Sequence, residues 1–225
     1  MSASQSNGSG AYIAKFNGSG VRQWETQLGG TAPNNGLPVT ANGVAVSADG
    51  SAVFLSGRTY ADFDAAGTPP VASFCCTTGD AFVARFNGTG TLQWVHNLSS
   101  LTLNGSTHYD DEAFAIATNA AGSAVFITGY TAGVMPGEQS KGAEDVFVAR
   151  YEADGTRTWV RQLGSSLPAT TGGAQNDRAF GIALDLHGDL FVAGVTHGTF
   201  GTPLKNTDRD DWFVFKMKPS DGSLY

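Results

Sequence analysis

The sequence predicts an all-β protein made of repeated four-stranded antiparallel sheets, and three observations support this class. Two motifs alternate along the chain, and each consists of two short apolar runs joined by turn residues, which is the pattern of a β-hairpin. Thirty of the 225 residues are glycine and 11% are aromatic, as expected of short strands joined by tight turns. Hydrophobic residues make up 41% and charged residues 15% of the chain, which excludes a disordered protein.

The first motif is a predicted hairpin that occurs four times. Its copies are AYIAKFNGSGVRQW at 11–24, DAFVARFNGTGTLQW at 80–94, DVFVARYEADGTRTW at 145–159 and DWFVFKMKPSDGSLY at 211–225. Alternate residues of a strand share a face, so one face of its first strand carries Tyr12, Phe82, Phe147 and Phe213 with Phe16, Phe86, Tyr151 and Met217. We expect the cations Lys15, Arg85, Arg150 and Lys216 to be exposed on the other face, with stems that cover apolar neighbours, in preference to forming a binding stripe.

The second motif is a predicted hairpin that lies between copies of the first. Its copies are ANGVAVSADGSAVFLSGRT at 41–59, AFAIATNAAGSAVFITGYT at 113–131 and AFGIALDLHGDLFVAGVT at 179–196. Each copy ends on a glycine followed two residues later by a threonine: Gly57 and Thr59, Gly129 and Thr131, Gly194 and Thr196. We interpret these pairs as the close-packed exit of a strand.

Two hairpins per unit of about 66 residues make a four-stranded sheet, and a chain of such units predicts the blades of a β-propeller. The segments DAFVARFN with a following QW, and GSAVFITGYT, resemble the SBBP repeats, a family named for seven-bladed β-propellers and found mostly in secreted or surface proteins of bacteria. The resemblance covers most of the chain outside the connecting loops. It implies a propeller fold and an extracellular or cell-surface location, although the N-terminal MSASQSNGSG lacks the pattern of a secretory signal.

The motifs predict fourteen strands, including a truncated one at the C-terminal end, or about three and a half blades in a single propeller region over 1–225. The repeat copies span roughly 10–40 in part, 41–112, 113–178 and, in part, 179–225. A closed ring has at least four blades, so we expect open sheet edges that further blades cover, from the parent chain or from a second copy. Because the last copy stops inside a strand, we favour a fragment of a longer propeller over a half-ring that dimerises into seven blades.

The hairpin turns and the long connections are expected at opposite ends of the sheets. Successive connections of an antiparallel meander alternate between its two ends, and short turns alternate with long connections along this sequence. The long connections are 29–40, 60–79, 99–112, 132–144, 164–178 and 197–210. We call the end that carries them the long-loop face and predict that it binds a ligand, because rigid scaffolds commonly carry function on loops.

Aromatic residues stand beside acids in the long connections, and this combination can stack on sugar rings and bind their hydroxyl groups. We predict eight ligand-binding residues: Tyr60, Asp62, Phe63, Tyr109, Asp110, Tyr130, Phe200 and Asp208. A different role is expected for the acids that share one repeat position immediately before a strand, which are Asp80, Asp145 and Asp211. They are predicted to accept hydrogen bonds from backbone donors at the strand entrance.

Charge and motif content exclude several other classes. A net charge of −7 opposes binding to nucleic acid or to an anionic membrane, and no segment approaches the roughly 18 apolar residues of a membrane span. The four histidines form no zinc motif, so no cofactor is predicted. The clusters YDDE at 109–112 and DRDD at 208–211 offer carboxylates for a structural Ca²⁺ but lack the spacing of a calcium loop. Adjacent Cys75 and Cys76 are expected as free thiols, because a bridge between neighbours is strained.

Two functions from different classes fit the sequence. The favoured one is a non-catalytic binding or scaffold module of a secreted or cell-surface protein, with a long-loop face that holds a protein or a glycan, because no catalytic motif accompanies the repeats. The alternative is a propeller enzyme, resembling a glycoside hydrolase or lyase, in which Asp110, Asp111, Glu138 and Asp208 are the candidate acids and bases. A purely structural spacer role stands beside both.

Overall fold

The computed structural model describes residues 10–29, 37–63, 78–100, 109–165, 176–198, 200 and 210–225. These residues form thirteen β-strands and no helix, which confirms the all-β class. The strands are β1 Ala11–Phe16, β2 Arg22–Leu28, β3 Val39–Val46, β4 Ala52–Thr59, β5 Asp80–Asn87, β6 Leu92–Leu98, β7 Asp111–Thr118, β8 Ala124–Thr131, β9 Asp145–Glu152, β10 Arg157–Leu163, β11 Asp177–Leu184, β12 Leu190–Thr196 and β13 Asp211–Met217.

The strands form four antiparallel sheets, with the orders β1-β2, β3-β4-β5-β6, β7-β8-β9-β10 and β11-β12-β13. Neighbours in a sheet are also neighbours in sequence, so each sheet is an up-and-down meander. An isolated antiparallel bridge joins Met217 to Leu224 beside β13, where the truncated strand was expected. The predicted four-stranded antiparallel blades are confirmed, and the architecture is that of a partial β-propeller.

Neighbouring sheets pack face to face, and one contact recurs at three junctions. At each junction, two small or β-branched residues, two positions apart on one sheet, cluster with a mainly aromatic row of the next sheet. The three sets are Ala11 and Ile13 with Phe82, Ala84 and Phe86, then Ala81 and Val83 with Phe147, Ala149 and Tyr151, then Val146 and Val148 with Phe213, Phe215 and Met217. Except for Phe215, these side chains are at most 7% exposed, so the junctions are the hydrophobic core.

A tryptophan hydrogen bond links each sheet to a turn of the next one. The indole nitrogens of the outer strands donate to carbonyl oxygens, at 2.9 Å from Trp24 to Gly88, 2.9 Å from Trp94 to Ala153 and 3.1 Å from Trp159 to Pro219. The guanidinium groups of Arg85 and Arg150 donate to the carbonyls of Ala153 and Pro219 as well, at 2.8 and 2.9 Å. The expectation that these two arginines are exposed is therefore wrong: both are half-buried and bind across a junction.

The first strands of the three larger sheets are β3, β7 and β11, and β7 contacts both of the others. We call these three adjacent strands the inner strands. Each inner strand contains a bulge near its start, between Ala41 and Gly43, between Ala113 and Ala115 and between Ala179 and Gly181. A bulge leaves one residue unpaired and redirects its side chain. The bulge residues are Asn42, Phe114 and Phe180. All three lie towards the long-loop end of the sheets.

Candidate functional site

Arginine and acidic side chains form a continuous row across the inner strands at the long-loop end. Arg58, near the end of β4, forms an ion pair with Asp110 and lies 4.0 Å from Glu112. On the other side of β7, Arg178 forms a bidentate ion pair with Glu144, with Nη2 2.8 Å from Oε1. The inner row consists of Arg58, Asp110, Glu112, Tyr130, Glu144 and Arg178, and it offers hydrogen-bond donors and acceptors side by side.

Two tyrosine rings of this region are each covered on one side by a guanidinium group. Arg58 lies 4.9 Å from the ring centroid of Tyr60, and Arg178 lies 4.9 Å from that of Tyr130. Tyr130 is only 7% exposed, and burial raises the pKa of its phenol to about 12 despite the nearby positive charge of Arg58. Tyr130 is therefore a buried member of the inner row, and its ring packs under the guanidinium of Arg178. Tyr60 is partly exposed.

The bulge residues bring aromatic surface to the same place. Phe114 stacks on Phe180 with ring centroids 5.0 Å apart and contacts the ring of Tyr130 at 5.6 Å. Phe180 is 52% exposed. Asn42, the third bulge residue, donates to Glu112 Oε1 at 2.8 Å and so holds this carboxylate in the inner row. The bulges thus add an exposed ring and a positioning amide to the charged groups.

A cavity of about 370 Å³ opens next to the inner row. Tyr109 forms one wall, and the connection 132–143 forms the other. A Cβ at Gly133 would lie 2.3 Å from Ser100 Oγ and 2.9 Å from Tyr109 Cδ2, so only glycine fits where these side chains meet. Since Tyr109 precedes Asp110 of the row, the cavity and the row form one surface.

The structure separates the predicted binding residues into two groups. Tyr60, Tyr109, Asp110 and Tyr130 lie in or beside the inner row. Phe63 and Phe200 lie in packing contacts instead, with Phe63 against Phe82 at 6.0 Å and Phe200 against Phe213 at 5.3 Å. Asp62 is partly exposed in the connection after β4, and Asp208 lies outside the described residues, as do Cys75 and Cys76.

Sequence reasoning missed Arg58, Glu144 and Arg178 and considered Glu112 only among the carboxylates of the YDDE cluster, although a signal for most of these residues existed. Arg58, Tyr130 and Val195 share one repeat position, and Thr40, Glu112 and Arg178 share another. Structural positions of a repeat keep one kind of side chain, as the buried aromatic rows do. Positions that change between cation, acid and aromatic ring are therefore candidates for specific contacts.

Buried carboxyl groups hold the long connections to the inner strands. The carboxyl of Asp111 accepts a hydrogen bond from the backbone N of Ser100 at 2.6 Å, and that of Asp177 accepts one from the N of Ser165 at 2.6 Å. Both side chains are fully buried, and burial raises the pKa of Asp111 to about 7 and also raises the pKa of Asp177. The two carboxyl groups therefore attach the start of each long connection to the first residue of the inner strand that follows it.

The acids at the strand entrances have comparable partners. The carboxyl of Asp145 accepts hydrogen bonds from the backbone N of Lys141 at 2.8 Å and from Gln162 Nε2 at 2.7 Å. The carboxyl of Asp80 accepts one from Asn97 Nδ2 at 3.1 Å. Asp145 thus binds a backbone donor as expected, while Asp80 binds an amide side chain.

We expect the Asp111→Asn variant to remove a pH-dependent loss of stability. Because the pKa of Asp111 is about 7 in the folded protein and about 3.9 when unfolded, the folded state binds more protons between these values. Its contribution to stability is complete below about pH 4 and is lost as the pH rises through about 7. Denaturant unfolding measures this between about pH 4 and 8. As the pH rises, the free energy of unfolding of the variant should increase relative to that of the parent protein.

The control for this measurement is Asp154→Asn in a turn at the opposite end of the sheets. A hydrogen bond from the backbone N of Thr156 holds the pKa of Asp154 below its usual range, so this group is ionised in both states above about pH 5. The control should follow the parent curve there. Parallel curves for the parent protein and Asp111→Asn would contradict the prediction.

Within the described ranges, no group of three or more histidine, cysteine, aspartate or glutamate side chains is arranged to hold a metal ion. In the same part of the chain, no helix is long and apolar enough to cross a membrane.

The four sheets and their repeated junctions define a β-propeller repeat protein. Residues 158–201, which contain the third copy of the second motif, match the family model described as SBBP, a beta-propeller repeat, in agreement with the resemblance to that family. No curated protein matches the sequence. Among solved structures, the periplasmic gluconolactonase of Pseudomonas aeruginosa is 13% identical over 94% of this chain and 76% of that chain, with a TM-score of 0.23. At this TM-score, the likeness carries no argument about function.

Proposed function

We propose that this chain is a binding or scaffold module of a secreted or cell-surface protein and that its long-loop face holds a glycan or a protein. The observation that carries the proposal is the inner row, where two guanidinium groups and three carboxylates lie beside the partly exposed Tyr60 and the exposed Phe180. Polar groups of both kinds next to apolar rings suit a ligand that presents hydroxyl or amide groups together with an apolar face.

The arrangement is preorganised, which favours binding. The side chains of the inner row are fixed by ion pairs, by the amide of Asn42 and by contacts with tyrosine rings. A ligand therefore orders few additional side chains when it binds, and less conformational entropy is lost. The adjoining cavity, walled by Tyr109, adds a concave subsite.

The alternative enzyme has a weaker basis in the geometry. Asp110 and Glu138, two of the candidate acids, form ion pairs with Arg58 and with Arg161, the second at 3.2 Å. Asp111 has a raised pKa, a property that suits a general acid, but its carboxyl is buried and accepts a hydrogen bond from Ser100. These contacts give the described candidate acids structural partners, so we favour the binding module.

A binding screen with two matched variants tests the proposal. The purified whole chain is applied to a glycan array and to a panel of secreted and surface proteins, and the strongest ligand is then titrated by calorimetry. We expect Tyr60→Ala and Tyr109→Ala to weaken binding at least about tenfold, since each removes an aromatic contact of the site. Leu186→Ser is the control, because Leu186 is fully exposed in the turn between β11 and β12, at the opposite end of the sheets. A ligand whose affinity depends on Leu186 and not on either tyrosine would contradict the proposal.

A further inference from the structure

The cavity beside the inner row opens where a small residue occupies a repeat position that carries rings in the neighbouring sheets. The backbone N of Ala132 donates to the carbonyl of Asp110 at 2.9 Å, and the equivalent bonds of the second and fourth sheets start from Tyr60 and His197. Ala132 lines the cavity. An alanine at this position therefore leaves open the space that a tyrosine or histidine ring would fill.

Hydrogen bonds hold the wall opposite Tyr109 in place. Gln162, which is 3% exposed, accepts a hydrogen bond through Oε1 from the backbone N of Met135 at 2.8 Å and donates one through Nε2 to the carbonyl of Gly133 at 2.9 Å. Val134, between these two residues, lines the cavity. Because the wall is already fixed, a ligand that enters the cavity orders few further groups, and less conformational entropy is lost.

The lining of the cavity suits a neutral ligand with one apolar face. Its described side chains are one tyrosine, one serine and small aliphatic groups, and none of these is charged. Since an unpaired charge is costly to bury, the lining disfavours a charged group. The ring of Tyr109 offers an apolar surface, while the hydroxyl of Ser140 and the backbone of Gly142, which carries no side chain, offer hydrogen-bonding groups.

The size of the cavity and its position next to the inner row fit one sugar ring. A volume of about 370 Å³ is the space of roughly a dozen water molecules at about 30 Å³ each, near the lower limit for small-molecule sites. The row starts where the lining ends, because Asp110 follows Tyr109 and Glu144 follows Ala143. The two carboxylates accept hydrogen bonds and their guanidinium partners donate them, so both kinds of group are available to sugar hydroxyls.

We propose that this cavity binds a neutral pyranose ring at the end of a glycan chain. Such a ring has an apolar face of C–H groups for Tyr109 and hydroxyl groups at its edge for the backbone and the inner row. The ring is a terminal one because the cavity is closed at Gly133, where a Cβ would lie 2.3 Å from Ser100 Oγ. The cavity belongs to the long-loop face, so this assignment rests on the function proposed for that face and names its ligand class.

Titrations of the whole chain with single sugars test the assignment. The probes are the methyl glycosides of glucose, galactose and mannose, each paired with its uronic acid counterpart, and amide chemical shifts report binding. We expect at least one neutral glycoside to bind with a dissociation constant below about 10 mM, and its uronic acid to bind at least about tenfold more weakly. The largest shifts should be those of Gly133 and Gly142 in the lining. The absence of a neutral glycoside that binds this tightly, or a uronic acid that binds as well as its neutral counterpart, would overturn the proposal.

A variant taken from the repeat itself locates the sugar. Ala132→Tyr introduces the residue that occupies the same position in the second sheet, so we expect the strands to form and the new ring to fill the cavity. It should weaken sugar binding at least about tenfold. Leu186→Tyr is the matched control, because it adds the same ring at a fully exposed turn residue at the opposite end of the sheets, and its affinity for the sugar should be unchanged. Circular dichroism establishes that both variants keep their strands.

The outcomes separate the sugar site from the function on which it rests. Sugar binding that Ala132→Tyr leaves undiminished would overturn the sugar site. If Tyr60→Ala and Tyr109→Ala weaken the strongest ligand of the binding screen while Ala132→Tyr does not, the long-loop face binds that ligand, a protein included, and only the sugar site is refuted. A ligand that depends on neither tyrosine would refute the proposed function itself.

Discussion

Replacing Phe147 by alanine will lower the free energy of unfolding by about 3–5 kcal/mol. The ring of Phe147 is completely buried in the junction between the second and third sheets, where it clusters with Ala81 and Val83. Its removal leaves a cavity between two rigid sheets, whose backbones cannot collapse to fill it because their hydrogen-bonded ladders fix them. Denaturant unfolding followed by tryptophan fluorescence measures the loss.

The repeat supplies a matched control for this variant. Tyr12 occupies the same repeat position in β1 but is 56% exposed, so Tyr12→Ala removes an aromatic ring without leaving a buried cavity. This variant should lose less than about 1 kcal/mol. Equal losses for the two variants would show that the junctions are not the source of stability.

The second large effect is expected at Gly129, where alanine should cost at least about 2–3 kcal/mol. A Cβ on Gly129 would lie 1.8 Å from the carbonyl oxygen of Glu112 and 3.0 Å from the Cα of Ala113. Both contacts are with the backbone of β7, which the bulge between Ala113 and Ala115 brings close to β8. A backbone carbonyl cannot rotate away as a side chain does, so the bulge itself would have to shift.

Gly181 is the control for the glycine variant because it also lies in a strand at a bulge. The nearest atom to a Cβ on Gly181 is Ala193 Cβ at 4.0 Å, and the corresponding residue of β7 is already an alanine, Ala115. Gly181→Ala should therefore change stability by less than about 0.5 kcal/mol or increase it slightly, since alanine restricts the unfolded chain. The midpoints of thermal unfolding compare the two variants. A Gly129→Ala variant as stable as Gly181→Ala would contradict the close approach.

The bulges also connect this stability argument to the candidate site. The glycines at 57, 129 and 194 leave room for the bulges, and the bulges aim Asn42, Phe114 and Phe180 towards the inner row. The sequence indicated the glycines as points of close packing, but a bulge depends on the register between two strands and leaves no short motif. The exposed ring of Phe180 and the amide of Asn42 therefore became visible only in the structure.

The candidate site was predicted in part for a similar reason. Tyr60, Tyr109 and Asp110 stand in long connections, and the alternation of connections between the two ends of a meander is a topological rule that needs only the order of the strands. Arg58 lies inside a strand, and its partner Asp110 follows 52 residues later. Phe63 and Phe200 stand in the same connections as the binding candidates, but they pack on strand phenylalanines.

By itself, the sequence determined the strands, the hairpins and the face of each strand that is apolar, because these follow from periodicities of a few residues and from turn chemistry repeated along the chain. The tertiary structure alone decided which residues form the bulges, which arginines bind across a junction and which acids become buried. These outcomes depend on contacts between residues that are far apart in sequence, and the free energy of such contacts is set by register and packing that no local pattern encodes.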